Sequence, residues 1–218
     1  MRTWLHTLTV LVALLPAAVH AEITALFDTR SGPGMSIEYR DAQNFRINLD
    51  AETYQLVRDG RMYLVASNQG EQEVIPLSDV GEQLAALGLG GMAQRMLGGQ
   101  QAQVPDAVSL RPLGRQETIA GYTGEVYEVT TTGAGGTESV EAVLCRDPEL
   151  TTVQGALLSM AEQAIALLGY DASTRESRLV RQVRAQNLGA VLRYGDELRL
   201  REVLRGPITA ARLSLPVP

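Results

Sequence analysis

Paired carboxylates are the first residues in this chain whose spacing could support chemistry. Glu71 with Glu73, Glu125 with Glu128, and Glu138 with Glu141 lie two or three positions apart. Side chains two apart on a strand share a face, which is the arrangement Glu71 and Glu73 would need. Acid–base work also needs a cleft and a raised carboxyl pKa. Nothing around these residues marks either, so a solvated strand face is the expectation. Ser159, in "LLSMAEQ", falls in the middle of an apolar helical pattern and has no base beside it. Gly88, Gly90 and Gly91, and then Gly98 with Gly99, do not follow a strand at the spacing that cradles phosphate.

The rest of the inventory narrows the chemistry further. The 218 residues carry 19 basic and 25 acidic side chains for a formal charge of −6, and every basic residue is arginine. The start reads as a secretory signal: "MRTWLH" is short and basic, "LTVLVALL" is apolar, and "PAAVHA" ends with Val19 and Ala21 where a signal peptidase reads. Its apolar run is far shorter than the ~20 residues a membrane span needs, and no later stretch is long enough to cross a bilayer. Cleavage after Ala21 would take away His6, His20 and Trp4, and the loss of Arg2 would move the charge to −7. Residues 22–218 then form a single exported domain.

Without histidine there is no Ser-His-Asp or Cys-His machinery and no imidazole metal ligand. Without lysine there is no Schiff base. Cys145, alone in "VEAVLCRD", reads as a small buried hydrophobe rather than a thiol that works. An acidic chain does not suit a nucleic-acid backbone. The expectation is a protein that is not an enzyme and has no metal or cofactor. A purely carboxylate-based hydrolase is the enzyme class left open.

These residues must be positioned mostly by strands. Period-two alternation marks "MSIEYRD" (35–41) and "NFRINLD" (44–50), with Phe45 and Ile47 on one face and Arg46 and Asn48 on the other. In "TYQLVRDGRMYLVAS" (53–67), Asp59-Gly60 is a strong hairpin signal. Its return strand is apolar on both faces, with Met62 and Leu64 opposite Tyr63 and Val65, so both faces need cover. Further strands are expected at 22–30, 71–77, 107–121, 122–133 and 137–147. Three more close the chain at "GAVLRYGD", "ELRLREVL" and "ITAARLSLP".

Helices interrupt this pattern. Residues 79–97 read as a helix broken at Gly88, Gly90 and Gly91, with Leu84 and Leu87 on one stripe and Met92 and Met96 on another. Residues 148–169 read as a second helix, opened by Pro148 and closed by Gly169, with Leu157, Met160 and Ala164 on its apolar stripe. A third, less regular one spans 173–186, where Arg178, Arg181 and Arg184 fall on an outer face. Helices of this kind could be ordinary packing. Methionine also suits a surface that adapts to varied apolar shapes, and glycine supplies hinges. Beneath such helices a sheet lined by Phe45, Ile47, Met62, Leu64, Leu84, Leu87, Met92, Met96, Leu157, Met160 and Ala164 could hold an apolar ligand.

The order of elements resembles the exported half-barrel proteins related to the LolA/LolB lipoprotein carriers, and especially a DUF4412-like periplasmic branch of that superfamily. The resemblance rests on the paired strands "MSIEYRD…NFRINLD", the central "GRMYLVAS", the helical insertion after it, "ETIAGYTGEVYEV", and a final strand ending "ARLSLP". It implies an α+β fold: an open, strongly curved antiparallel half-barrel whose concave face is plugged by two or three helices. It also implies a lipid or a lipidated protein as partner, in the periplasm. In the carriers an arginine helps hold the lid. Arg40 and Arg46 lie on early strands here, without a motif that assigns either of them that role.

Overall fold

A computed structural model of the chain describes residues 22–30, 32, 34–68, 71–79, 107–133, 136–167 and 178–216. The signal-like residues 1–21 and the expected Gly/Met helix beyond Asp79, with Leu84, Leu87, Met92 and Met96, lie outside the described residues.

Among the described residues, eleven strands join in one open antiparallel sheet. They are β1 (Ile23–Thr29), β2 (Met35–Asp41), β3 (Asn44–Asn48), β4 (Thr53–Arg58), β5 (Arg61–Asn68), β6 (Glu71–Pro76), β7 (Ala107–Ile119), β8 (Tyr122–Gly133), β9 (Gly136–Cys145), β10 (Ala190–Tyr194) and β11 (Leu198–Arg205). Helix α1 spans Pro148–Leu167 and helix α2 spans Arg178–Ala185. The strand order is β6-β5-β4-β3-β2-β1-β11-β10-β9-β8-β7. The first and last strands therefore meet mid-sheet, with Ile23 opposite Arg205, and among the described residues β6 and β7 are the outermost strands.

The turns follow from local chemistry. Asp59 and Gly60 both take positive φ, 50° and 73°, the backbone that joins two strands with matching twist. Ala120 and Gly121 do the same between β7 and β8 at 51° and 85°, although alanine gains nothing from that conformation. The edges are blunted by Glu71, Glu73 and Pro76 on β6 and by Pro112 beside a register shift on β7. These features oppose strand addition from another chain.

The two faces of the sheet are covered differently. On one, Ile23, Ala25, Phe27, Ile37, Tyr39, Phe45, Ile47, Val57, Met62, Ile119, Val126, Val143 and Leu200 form a single buried cluster with Leu150, Val153 and Met160 of α1. On the other, the C-terminal residues Ile208 and Leu213 pack on Tyr54, Leu56 and Val65, while Val183 of α2 packs on Tyr127 and Leu144. The two-sided apolar strand β5 is thus covered on both faces, by Met62 in the first cluster and Val65 in the second.

One expectation needs revision. The tail "ITAARLSLP" does not add a strand: Ala210–Leu213 form a 3-10 helix with extended residues on either side. Its alternating Leu213 and Leu215 imitate a strand pattern, but both side chains dock on the outside of β4 and β5, and the sheet ladder ends at Arg205. The third expected helix, 173–186, is described over Arg178–Ala185, and residues 173–177 lie outside the described residues. Cys145 is buried in the main cluster, and burial pushes its thiol pKa up.

Candidate functional site

Asp147 stops β9 and starts α1. Its carboxylate accepts the Leu150 N–H at 3.0 Å, capping one of the free donors of the first turn. Pro148 follows at the position where its missing N–H costs nothing, and Glu149 lies at the positive end of the helix dipole. Arg205, at the end of β11, donates from Nε and Nη2 to Glu149 Oε2 at 3.0 and 2.7 Å, and from Nη2 to the Tyr122 hydroxyl at 2.7 Å. The start of α1 is therefore tied to β11 and β8. One turn on, Gln154 Oε1 accepts the Val191 N–H at 2.6 Å, beside the register shift in β10 that leaves this N–H out of the ladder.

Between α1 and the sheet lies an apolar cleft of about 50 Å³. Its walls are Ala25 and Phe27 of β1, Met35 and Ile37 of β2, Ala190 and Val191 of β10, Leu198 and Leu200 of β11, and Leu150, Val153, Gln154 and Leu157 of α1. Gln154 is the one polar side chain among them, and its carbonyl is already engaged. The buried floor comprises Ala25, Phe27, Ile37, Leu150, Val153, Ala190 and Leu200. Met35, Leu157 and Leu198 are half-buried at its margin.

The residues expected to line an apolar site are placed as follows. Leu157 borders the cleft. Phe45, Ile47, Met62 and Met160 share the surrounding core cluster. Leu64 is half-buried on β5, and the side chain of Ala164 lies outside the described residues. Sequence reasoning passed over Ala25, Phe27, Leu198 and Leu200, because β1 and β11 meet only through pairing across the length of the chain.

The carboxylates sort into ion pairs rather than acid–base couples. Glu71, Glu73 and Glu138 are exposed. Glu128 and Glu141 stand opposite each other on β8 and β9, but Arg111 donates to Glu128 at 2.8 Å, and Arg115 and Arg193 both donate to Glu141. Arg193 also donates to Glu117 at 2.8 Å. The hydrogen bond from Arg115 holds the Glu141 carboxyl below its ordinary pKa, and that from Arg193 does the same for Glu117. A general acid needs the opposite shift. Among the described residues no group of three or more His, Cys, Asp or Glu could hold a metal ion.

The two early-strand arginines face away from α1. Ile37 and Tyr39 on β2, and Phe45 and Ile47 on β3, point into the α1 cluster, so Arg40 and Arg46 between them point outward. Arg46 stacks over the Tyr54 ring at 3.4 Å. Arg40 donates to Glu22 and, at 2.9 Å, to the Ile208 carbonyl, while Glu22 accepts the Ile208 N–H. Further along, Arg212 donates through Nε and Nη2 to the buried Glu38 carboxylate, which also accepts from Asn48 Nδ2 at 3.0 Å. The C-terminal segment is therefore clamped onto the outer face by two Arg–Glu pairs. Arg181 and Arg184 of α2 are exposed, as a charged outer face should be, and the Arg178 side chain lies outside the described residues.

This clamp makes a pH prediction. Burial alone would raise the Glu38 pKa, but hydrogen bonds from Arg212 and Asn48, with the charges of Arg212 and Arg46, bring it below the ordinary value. A carboxyl lowered on folding contributes stability above its unfolded pKa and loses it as pH falls through the folded one. Thermal stability should therefore drop in acid, below the range where a free glutamate titrates. Glu38→Gln should show a shallower loss there, as read by melting temperature against pH. An unchanged acid slope would count against the clamp.

Comparison with protein-family models, with curated proteins and with solved structures finds no match to this chain.

Proposed function

We propose that the chain is an exported, non-enzymatic protein of the LolA/LolB-like half-barrel kind, which holds an apolar chain from a lipid or lipidated protein between α1 and the sheet. The observation that carries this reading is the cleft itself: among the described residues twelve line it, eleven of them apolar, under a helix tied down at its N-terminal end. An open sheet of eleven strands is also at the size where twist makes sheets curl. The signal-like residues 1–21 support export, and the periplasm follows from the resemblance.

The cleft is narrow as it stands. At about 50 Å³ it is smaller than the ~150 Å³ cavity that admits benzene. An acyl chain enters only as α1 tilts from the sheet. The capped and ion-paired first turn is the natural pivot, and Met35, Leu157 and Leu198 line the opening. Each methylene buried there contributes ~0.8 kcal/mol, so chain length alone gives affinity without a polar constellation.

The small volume also favours a second reading, an envelope-interaction protein whose core is filled by its own side chains. One experiment separates the two. Protein purified gently from its native compartment should carry lipid visible in native mass spectra, and delipidated protein should take up a fluorescent fatty acid saturably. Clean spectra with no uptake would leave the self-filled core as the surviving account.

A further inference from the structure

The C-terminal clamp has the construction of a peptide-recognition groove. Glu22 accepts the N–H of Ile208 and Arg40 donates to its carbonyl, so one side-chain pair grips both backbone groups of a single extended residue. Ile208 and Leu213 fill an apolar depression over Tyr54, Leu56 and Val65. Four residues after Ile208, Arg212 meets Glu38, which is only 7 % exposed and is prearranged by Asn48, itself bonded to Ser36 at 2.8 Å and to Arg46 at 2.6 Å. The floor of the groove and the segment seated in it are separated by more than 140 positions and joined through Gly206-Pro207 after β11.

We propose that this groove exchanges its occupant, taking the C-terminal segment of a second copy of the chain. The fit needed is already present, since residues 208–213 of any copy carry the aliphatic, arginine and leucine anchors at the required spacing. No new surface is required, and an exchange of identical elements is a low-cost route to a dimer. In the isolated chain the tethered tail competes at an effective concentration in the millimolar range, so the wild-type protein is mostly monomeric. Exchange emerges when the tethered contact is weakened on one partner and retained on the other.

Two full-length variants test this. Ile208→Ser with Arg212→Ala spoils the tail and leaves the groove; Glu38→Gln spoils the groove and leaves the tail. Each alone should sediment as a monomer. An equimolar mixture at high micromolar concentration should form a one-to-one dimer, with a dimer fraction at least about tenfold above either variant alone. Folded variants that stay monomeric when mixed overturn the proposal. Hydrogen exchange on the wild-type chain decides independently of whether the variants fold. The Ile208 and Arg212 amides should exchange through an opening far more frequent than that of the Leu56 and Val65 amides beneath them. If all four exchange together, the tail leaves only on global unfolding and the proposal fails.

Discussion

Gly189→Ala should lower the melting temperature by roughly 6–20 °C, an expectation built from a destabilisation of roughly 3–5 kcal/mol in a chain of this size. Gly189 has φ +81°, and a Cβ there would stand 1.9 Å from the Cys145 carbonyl oxygen and 2.9 Å from Arg146 Cα. Both are backbone atoms where β9 ends, so no side-chain rotation relieves the contact. The next residue, Ala190, pairs with Cys145, and a displacement would pull β10 from β9 under α1. Gly114→Ala is the matched control. Its φ is +69°, but nothing lies within 4 Å of the added carbon, so only the left-handed backbone preference of ~1–2 kcal/mol is lost. Calorimetry or circular dichroism melts compare the two. A Gly189→Ala melt within 2–4 °C of wild type, roughly 1 kcal/mol, would mean that β9 and β10 do not approach so closely.

Gly189 also shows where sequence reading stops. In "NLGAVLRYGD" it looks like an ordinary strand start, because the atom it must avoid is 44 positions away. What was legible is local. Asp59-Gly60 announced its hairpin, Phe45 and Ile47 declared one buried face, and the apolar Met62–Val65 run required cover on both sides; the sheet bears out each of these. Pro148 and the spacing of Val153, Leu157 and Met160 marked α1. The partners that build the cleft are not local. Ala25 and Leu200 meet α1 because β1 pairs with β11, and no short-range pattern encodes that register. Glu38 illustrates the same limit. It lies between Ile37 and Tyr39, on the face away from α1. It is buried nonetheless, because Arg212, 174 positions on, brings the tail down over it. The tail itself was misread because Leu213 and Leu215 alternate as strand residues do, while their burial comes from docking onto a finished sheet.

The cleft is where function and packing can be separated, and Ala25→Leu separates them. Ala25 is fully buried at the centre of β1, paired with Ile37 and Val203, and forms part of the cleft floor beneath α1. A leucine there points three more carbons into a space of about 50 Å³. Two effects on stability oppose each other. Each added buried methylene favours folding by ~0.8 kcal/mol, and overpacking costs ~1–3 kcal/mol. The net change should stay within about 2 kcal/mol, leaving a folded protein. The effect on binding has no such compensation, because the leucine occupies the volume an acyl chain would use and holds α1 off its seat. Uptake of a fluorescent fatty acid should fall at least about tenfold, equivalent to ~1.4 kcal/mol or two buried methylenes. Leu204→Ala supplies the comparison, since that side chain is 47 % exposed on the opposite face and its removal should leave uptake unchanged. If a folded Ala25→Leu variant still takes up the probe as the wild type does, the apolar chain sits elsewhere. The cleft would then be no more than the seam where α1 meets the sheet.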